Sequence, residues 1–597
     1  MLNKTKKKSP KRANVFRRLL GYVFKYWYLF IIAVAFTLLS NQLALLAPKY
    51  SGSAIDAIAA PGGADRDAVW HSVKRMLVCY AFSAVTSYAL SVLMIYIGQK
   101  IVYTMRRQVF EKLTSLRVGY FDLNPTGDII SHISYDIDTI NSTLSHDLVQ
   151  IMTSIYTVVG SLIFMWQISK PLMGVFVITV PIAIVFTRYR SAWVRPLFRK
   201  RSKKLGELNG YAEEMLSGCR TISAYEREEE ISSRFNKRNT DSMDAYYKAD
   251  YYGGALGPSM GFINNLSISL VMMLGGILYM YSRTGVTSEG TLFFITLGGV
   301  AQFVQYSRKF AGPINEFANI LSEFQSALSA AERVFKILDE EPEPEDAKDA
   351  VSLSNVQGRV EFKDVVFGYT PQDTILHGIS FEAPPGQTIA IVGPTGAGKT
   401  TIISLLMRFY DVTGGSVLVD GKDVRQIKRA SLRGAYTMVL QDTWLFGGTI
   451  YENIAYGREG ATLDEVKAAA AAARIDSYIE SLPDGYDTVI ADDGINISKG
   501  QRQLITIARA MIADTPMLIL DEATSNVDSR TEIKIQQAMA ELMKGRTCFV
   551  IAHRLSTIQN ADTILVLRDG KITEKGNHNE LMAQNGFYAT LYNSQFN

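Results

Sequence analysis

Cysteine is scarce in this sequence, and its scarcity excludes two classes of protein. The 597 residues contain three cysteines, Cys79, Cys219 and Cys548, which lie far apart. Scattered cysteines exclude a disulfide framework and the close pairs of a structural zinc site. No short apolar segment with a small-residue cleavage site follows the first residues, so we expect no cleaved signal peptide.

Net charge is also low, at a formal +4, and indicates no particular partner. Basic residues are nevertheless concentrated before the first apolar run: Lys4, Lys6, Lys7, Lys8, Lys11, Arg12, Arg17 and Arg18. They could form a nucleic-acid-binding arm, but a cytosolic tail that orients a membrane protein is the simpler interpretation. We therefore expect no nucleic-acid partner.

Long apolar runs fill the first half of the chain. Because 597 residues are too many for one core, two or more domains are expected. A bilayer is crossed by about 20 apolar residues. Six stretches reach this length, near residues 27–48, 77–98, 148–169, 171–190, 258–280 and 290–311.

Charge asymmetry predicts the orientation of these spans. With the basic start of the chain inside, loops 49–76 and 281–289 fall outside, and segments 99–147 and 191–257 fall inside. The two inside segments are rich in basic residues: Arg106, Arg107, Lys112, Arg195, Arg199, Lys200 and Arg201. This distribution agrees with the positive-inside rule, and an even number of spans puts the second half of the chain in the cytosol.

Both inside segments are helix-like and are predicted to extend the spanning helices, each with a turn in the middle. Phe121–Asp128 marks the first turn. Asn209–Gly218, followed by Tyr225 and Glu228, marks the second. The turns could be simple helix-turn-helix connections, or they could be short cross helices that dock on the cytosolic domain.

Polar residues within the spans are candidates for a cargo cavity because hydrocarbon makes them costly. The candidates are Asn41, Gln42, Gln150, Asn264, Asn265, Gln302 and Gln305. Interhelical hydrogen bonding is the alternative for each of them. Arg308 and Lys309, late in the sixth span, could line the cavity or extend to the inner interface.

A phosphate-binding motif lies in the second half, after an acidic, proline-broken linker at Glu340–Asp346 and a first strand that starts at Val360. The motif matches G-x-x-x-x-G-K-[ST] between a predicted strand, Thr388–Val392, and a predicted helix, Thr401–Arg408. Its candidate nucleotide-binding residues are Gly393, Pro394, Thr395, Gly396, Ala397, Gly398, Lys399, Thr400 and Thr401. Lys399 would reach the β- and γ-phosphates of ATP, and the hydroxyl of Thr400 would hold Mg²⁺.

Two carboxylates follow a second apolar run. Met517–Leu520 predicts a buried strand, which puts Asp521 and Glu522 at its carboxyl end, where open α/β sheets bind ligands. Asp521 is the candidate Mg²⁺ ligand. Glu522 is the candidate that polarises the attacking water.

Three further side chains are candidates for the same site. Gln441 and His553 each follow an apolar strand. Gln441 could sense Mg²⁺ and water, and His553 could contact the γ-phosphate. Tyr369, upstream of the phosphate loop, could stack on adenine, although a surface aromatic would look the same in sequence.

Together these residues resemble the ATP-binding-cassette (ABC) transporters, specifically exporter half-transporters of the multidrug type. The resemblance covers nearly the whole chain and rests on five motifs: Walker A (Gly393–Thr400), the glutamine loop (Gln441), Walker B (Met517–Glu522), the D-loop (Ser525–Asp528) and the switch histidine (His553). It implies an α-helical six-span membrane domain followed by an α/β P-loop ATPase (ABC) domain. It also implies that Tyr369 stacks on adenine and that the turns near 122–128 and 209–218 are coupling helices.

The resemblance further implies a domain organisation. Residues 1–320 would form the membrane domain with its cytosolic extensions, 321–347 the helix end and linker, and 348–597 the nucleotide-binding domain. Such a chain is half of a transporter, so it would work as a dimer. The dimer would lie in the plasma membrane, with both termini of each chain in the cytoplasm.

One motif departs from the family pattern. Where the family has Leu-Ser-Gly-Gly-Gln, which closes the opposing subunit's ATP site, this chain has Ile497–Gln501, with Lys499 in place of the first glycine. Ser498, Gly500 and Gln501 are retained. The preceding Ala491–Gly494 departs from the usual Gly-Glu-x-Gly. This pattern resembles one subunit of a heterodimer with unequal ATP sites; a homodimer that tolerates Lys499 is the alternative.

The expected function is ATP-driven export of hydrophobic or amphipathic compounds by alternating access. A lipid flippase or lipid exporter of the same fold is the first alternative. A non-transport ATPase acting on nucleic acid or protein would not need six spans, and an ATP-gated channel would be expected to carry a regulatory insert.

Overall fold

The computed structural model describes most of the chain, which divides into two units. The described residues are 12–60, 63–287, 290–370, 372–441, 443–490, 497–521, 528–551 and 558–596, with backbone only at 12–13, 314–319, 321 and 595–596. Of the described residues, the helical unit comprises 12–114 and 126–340. The α/β unit comprises Ser115–Pro125 and the described residues from Glu341 onward.

Long helices dominate the first 338 residues. In chain order they are α1 (Arg12–Phe24), α2 (Trp27–Ile58), α3 (Arg66–Thr114), α4 (Val118–Leu123), α5 (Thr126–Ser131), α6 (Ile137–Ser142), α7 (Leu148–Ile168), α8 (Lys170–Ser217), α9 (Cys219–Ala224), α10 (Glu228–Gly254), α11 (Leu256–Arg283) and α12 (Leu297–Leu338). Two π-helical turns, His132–Asp136 and Thr143–Asp147, join α5, α6 and α7. At 1.5 Å per residue, the 49 residues of α3 span about 70 Å, more than twice the hydrocarbon thickness of a bilayer.

Five helical stretches among the described residues are long and apolar enough to cross a membrane, and each overlaps one of the first five predicted spans. The sixth predicted span, 290–311, lies mostly in α12, which is not among the five. α12 begins at Leu297, later than predicted, because Thr296 caps it by accepting a hydrogen bond from the Gly299 amide. The sixth span stays a prediction.

The second predicted turn lies at the end of its predicted range. Asn209–Ser217 stay helical, because α8 continues without interruption through Ser217, and the break comes at Gly218. The chain reverses at Gly218 and Tyr225–Arg227, on either side of the short helix α9. A single glycine inside a helix costs only about 1 kcal/mol, so Gly210 does not end α8.

Most of the predicted cavity residues with described contacts make interhelical hydrogen bonds instead. The oxygen Oε1 of Gln42 accepts from the Tyr156 hydroxyl at 2.6 Å. Gln302 and Gln305 on α12 donate to the Lys49 carbonyl at 3.3 Å and to the Ser51 hydroxyl at 3.0 Å. These contacts favour the packing alternative for these residues.

The α/β unit contains twelve strands among its described residues: β1 (Val360–Phe367), β2 (Leu376–Ala383), β3 (Thr388–Val392), β4 (Gly414–Val419), β5 (Lys422–Asp423), β6 (Tyr436–Val439), β7 (Gly448–Thr449), β8 (Val489–Ile490), β9 (Met517–Asp521), β10 (Thr547–Ile551), β11 (Thr563–Arg568) and β12 (Lys571–Gly576). Its helices beyond the linker are α13 (Lys399–Leu406), α14 (Arg429–Arg433), α15 (Ile450–Ala455), α16 (Leu463–Ala472), α17 (Asp476–Glu480), α18 (Lys499–Ala513), α19 (Ser529–Met543), α20 (His578–Ala583) and α21 (Phe587–Phe596).

A six-stranded sheet of order β12-β11-β3-β10-β9-β6 forms the centre of this unit. All neighbouring pairs are parallel except β11 with β12. Every residue of β10 is buried, as expected for a continuous apolar run in a sheet covered on both faces. The predicted strand Thr388–Val392 is confirmed residue for residue.

The acidic linker is bound to the α/β unit rather than free. Glu343 accepts two hydrogen bonds from the Arg433 guanidinium at 2.6 and 3.0 Å. Asp346 accepts from the backbone amide and the guanidinium of Arg429 at 3.0 and 2.9 Å. The amide of Glu343 also donates to the carbonyl of Ser115 at 2.8 Å. The linker therefore fastens the start of the α4 segment, Ser115–Pro125, to the same unit.

Candidate functional site

The phosphate loop connects the end of β3 to the start of α13. Gly398 is the N-cap of α13 and has a left-handed backbone, with φ 101° and ψ 13°. A Cβ at this position would lie 2.7 Å from Cδ2 of Leu376, so both the conformation and the space require glycine. Gly396 is also left-handed, with φ 83°. The loop therefore leads directly to a helix N-terminus, which favours anions.

Lys399 is the first residue of α13 and folds back over the loop. Its Nζ donates to the carbonyl oxygens of Gly393 at 2.8 Å and Pro394 at 3.0 Å. Burial lowers the pKa of the Lys399 ammonium, and the nearby Asp521 carboxylate opposes this shift. Lys399 and Asp521 thus interact electrostatically across the loop.

The other loop residues differ in exposure. Pro394, Thr395 and Gly396 are exposed at the tip, whereas Ala397 is buried beneath it. Thr400, in the first turn of α13, is exposed. Thr401 is buried, with 4% of its surface exposed.

Strand pairing brings the ends of the strands that precede the predicted catalytic residues to one edge of the sheet. In the parallel register Ile551 lies opposite Asp521, and Ile391 lies opposite Ile551. The carboxyl ends of β3, β10 and β9 are therefore adjacent. β6 pairs with β9, so Gln441, exposed two residues beyond β6, belongs to the same edge. An edge of this kind is where such sheets bind ligands.

Two of the predicted catalytic residues lie outside the described residues. Glu522 follows Asp521, the last residue of β9, and His553 comes two residues after β10. The ends of both strands are described, but the roles of these two side chains stay predictions.

The donor set at this edge fits Mg²⁺. Thr400 and Asp521 supply a hydroxyl and a carboxylate, and hard oxygen ligands are those that Mg²⁺ prefers. Among the described residues no group of three or more His, Cys, Asp and Glu side chains forms a metal cage. Mg²⁺ is commonly held by one or two protein carboxylates or hydroxyls together with nucleotide phosphates.

Tyr369 lies beside the start of α13, with its hydroxyl 3.3 Å from the Thr401 hydroxyl. Phe367 and Tyr410 meet its ring edge-on, each with centroids 5.1 Å away. Half of the residue, 50%, remains exposed. An aromatic ring held in place by two others, with accessible surface, can stack on a base.

Tyr410 was not identified from the sequence as a site residue. Its hydroxyl donates to Oδ2 of Asp122 on α4 at 2.5 Å, and burial together with Asp122 raises its pKa. A Cβ at Gly119 would lie 2.7 Å from the same hydroxyl, so α4 approaches Tyr410 closely. A continuous contact therefore runs from Tyr369 through Tyr410 to the first predicted turn. The available signal was the position of Tyr410 just after α13.

The motif that departs from the family pattern forms a well-capped helix start. Ser498 is the N-cap of α18: its Oγ accepts from the Gln501 amide at 3.3 Å, and its own amide donates to Oε1 of Gln501 at 3.0 Å. Gly500 is buried. Lys499 has an ordinary helical backbone, so it does not distort the turn, and the substitution changes charge and bulk only. Ala491–Gly494 and Ser525–Val527 lie outside the described residues.

The fold and site define a class of protein, a P-loop ATPase unit joined to a helical unit with several membrane-spanning helices. Comparison with known proteins identifies the family. The family description "ABC transporter transmembrane region" matches residues 30–301, and "ABC transporter" matches residues 376–525. The chain belongs to the ABC transporter family and is an ATPase coupled to transmembrane export.

Similar proteins extend over nearly the whole chain. A Bacillus subtilis protein named "Uncharacterized ABC transporter ATP-binding protein YfiC" is 41% identical, covering 99% of this chain and 96% of its own length. "Fatty acid ABC transporter ATP-binding/permease protein" of Mycobacterium bovis is 43% identical over 88% of this chain and 82% of its own length. "ATP-dependent lipid A-core flippase" of Syntrophus aciditrophicus is 35% identical over 98% and 95%.

Solved structures also match the chain, including one that covers the whole fold. It is titled "Structure of a bacterial Atm1-family ABC exporter with ATP bound" and covers 98% of this chain and 99% of its own, with a TM-score of 0.72 and 30% identity. The predicted family and the predicted fold class, a helical membrane domain followed by an ABC ATPase domain, are thereby confirmed.

Nucleotide affinity is expected to fall at alkaline pH because of Lys399. Burial lowers the Lys399 pKa in the free protein, whereas phosphates favour the ammonium and raise it. As pH rises through the lowered pKa, below the ordinary value of about 10.4, ATP binding weakens, by at most about tenfold per pH unit for one proton. Titration of a fluorescent ATP analogue between neutral and alkaline pH measures this. The Lys399→Arg variant stays charged, so its affinity for the ATP analogue should not change over this pH range. If the affinities of both proteins fall in parallel with pH, the pH dependence does not come from Lys399.

Tyr410→Phe is expected to uncouple cargo from ATP hydrolysis with little effect on ATP binding. The ring still packs on Tyr369, but the hydrogen bond to Asp122 is lost. Cargo-stimulated ATPase activity should fall by about two- to tenfold, the range for one net hydrogen bond. Tyr451→Phe is the matched control, since its hydroxyl donates to the Ala461 carbonyl on another part of the unit. Equal stimulation in both variants would remove Tyr410 from the coupling role.

Proposed function

We propose that this chain is one half of an ATP-driven lipid exporter. The observation that carries the proposal is the phosphate loop at the carboxyl edge of the parallel sheet, in a chain whose other unit has helices of membrane-spanning length. Relatives named for a fatty acid and for lipid A support lipid cargo over the wider range of multidrug compounds. The multidrug alternative is an outcome of the test.

ATP and Mg²⁺ are the proposed nucleotide and metal. Thr400 and Asp521 would hold Mg²⁺, and Gln441 would sense Mg²⁺ and water. Glu522 polarises the attacking water, His553 contacts the γ-phosphate and Tyr369 stacks on adenine. The strand register that puts Asp521 next to the end of β10 supports this arrangement.

We further propose the membrane arrangement predicted from charge. Residues 1–320 are the membrane domain, 321–347 the helix end and linker, and 348–597 the nucleotide-binding domain, with both termini in the cytoplasm and the domain in the plasma membrane. The basic residues at the start of the chain support this orientation.

The active form is a dimer, in which Ser498, Gly500 and Gln501 close the nucleotide site of the partner subunit. Trp444 and Tyr456 line one surface pocket of the α/β unit and are 61% and 67% exposed. Contiguous exposed apolar surface of this kind is typical of partner-binding sites, which supports a dimer contact there.

The partner is proposed to be a different chain. Lys499 adds positive charge and bulk where two glycines would normally approach the partner's nucleotide, so the site completed by this chain is altered. Walker A of this chain keeps all its residues, and it needs an unaltered closing motif from a second subunit. A heterodimer supplies one active and one weakened ATP site.

Glu522→Gln is expected to bind ATP but to lose transport and turnover, because the group that polarises water is gone. Losses of about 10²- to 10⁴-fold are typical for such a group. ATP-dependent transport is measured in proteoliposomes that contain labelled fatty acid, labelled lipid A precursor or an amphipathic dye.

The matched control is Glu480→Gln, which makes the same charge change at an exposed residue on α17. ATP-dependent movement of the dye alone would contradict lipid export, and full ATPase activity in Glu522→Gln would contradict its role.

Affinity purification of the tagged chain from its native membrane is expected to recover a second, non-identical ABC half-transporter in equal amount. Its sequence should retain Leu-Ser-Gly-Gly-Gln and should lack the acid that corresponds to Glu522. Recovery of two copies of this chain alone, with full ATPase activity, would show a homodimer instead. Mass spectrometry of the intact complex distinguishes the two results.

A further inference from the structure

A cavity of about 680 Å³ opens between α8, α11 and α12 within the helical unit. This volume is within the range of small-molecule sites, about 300–1,000 Å³. One face of α8 supplies half of its lining, at helical spacing: Phe176, Thr179, Val180, Ala183, Ile184, Thr187, Arg188 and Ser191. The cavity is half-open and mostly apolar, and the nucleotide site described above does not use it.

The two ends of the cavity differ in chemistry. Two contacts between the antiparallel helices α8 and α11 mark these ends. The Thr179 hydroxyl is 2.9 Å from the Ser267 hydroxyl at one end, and the Thr187 hydroxyl is 2.8 Å from Sδ of Met260 at the other. Phe176 and Phe310, with centroids 5.7 Å apart, close the first end. Arg188 lies at the second end, 12 residues along α8 from Phe176, or about 18 Å.

Charge decides which amphiphile fits. Among the described residues that line the cavity, Arg188 is the one cation, and none is acidic. A guanidinium pairs with a carboxylate through two parallel hydrogen bonds. One guanidinium balances one negative charge, which suits a fatty acid and is too little for a lipid with several phosphates.

The position of Arg188 agrees with this chemistry. It falls near the end of the predicted span 171–190, at the level where charged side chains reach the polar interface. A fatty acid with its carboxylate at Arg188 would extend its chain toward Phe176, through the apolar part of the cavity.

We propose that this cavity binds one long-chain fatty acid, with its carboxylate on the Arg188 guanidinium and its chain along α8 and α11. The inference rests on the proposed lipid export, for which it names the cargo class and the binding site. The M. bovis relative named for fatty acid transport supports the same class of ligand.

Equilibrium binding of radiolabelled palmitate to the purified complex in nanodiscs, without nucleotide, tests the site apart from transport. Arg188→Gln should weaken binding about tenfold or more, as expected for loss of a charge-assisted pair. Arg195→Gln, on the same helix and outside the cavity lining, should bind like the natural chain. The methyl ester of palmitate, which lacks the charge, should not distinguish Arg188→Gln from the natural chain.

A second pair of variants keeps the test valid if Arg188→Gln does not fold. Gly257 lines the cavity near Arg188, and a Cβ there would meet no atom within 4 Å, so Gly257→Leu should fold, fill the mouth and reduce palmitate binding at least tenfold. Gly261→Leu, on the same helix with equal free space but outside the lining, is its control. Palmitate affinity equal in all four variants would overturn the site even if lipid export stands. Binding that depends on Arg188 in a protein that moves no lipid would uphold the site and overturn the proposed function.

Discussion

Parallel pairing of β3, β10, β9 and β6 is the constraint on which the ATPase site depends. These strands come from positions spread over about 160 residues of the chain, and their register brings their carboxyl ends to one edge. The phosphate loop, Asp521 and Gln441 become neighbours because they follow these ends. Burial of the strands on both faces stabilises the register, since a slip would move apolar side chains and misalign the edge.

A second contact ties this edge to the rest of the α/β unit. Tyr369 and Tyr410 pack together beside α13, and the Tyr410 hydroxyl bonds to Asp122. The acidic linker contributes to the same arrangement, because Glu343 bonds both to Arg433 and to the backbone of Ser115. A displacement of Tyr369 can therefore be transmitted to α4 through direct side-chain contacts, without involving the sheet.

Local sequence was sufficient to predict the strand Thr388–Val392, the phosphate loop and the position of Asp521 at the end of β9. Their signals are contiguous: an apolar run, a glycine pattern, a carboxylate. The second turn was predicted to start too early because Asn209 and Gly210 are weak helix breakers, and α8 continues through them to Ser217. For Gln42, Gln302 and Gln305 the sequence left a cavity role and interhelical hydrogen bonding open, because residue type does not show which neighbour a polar side chain meets.

By itself, the sequence determined the class of the protein: a nucleotide-binding loop in its required context and helices long enough for a membrane, both encoded by residues close together in the chain. Tertiary structure decided what depends on distant residues meeting: the contact of Tyr410 with Asp122, separated by 288 positions, and the cavity that Arg188 shares with α11 and α12. The physical reason is that a motif fixes its own backbone, whereas a contact between helices or units depends on how whole elements pack.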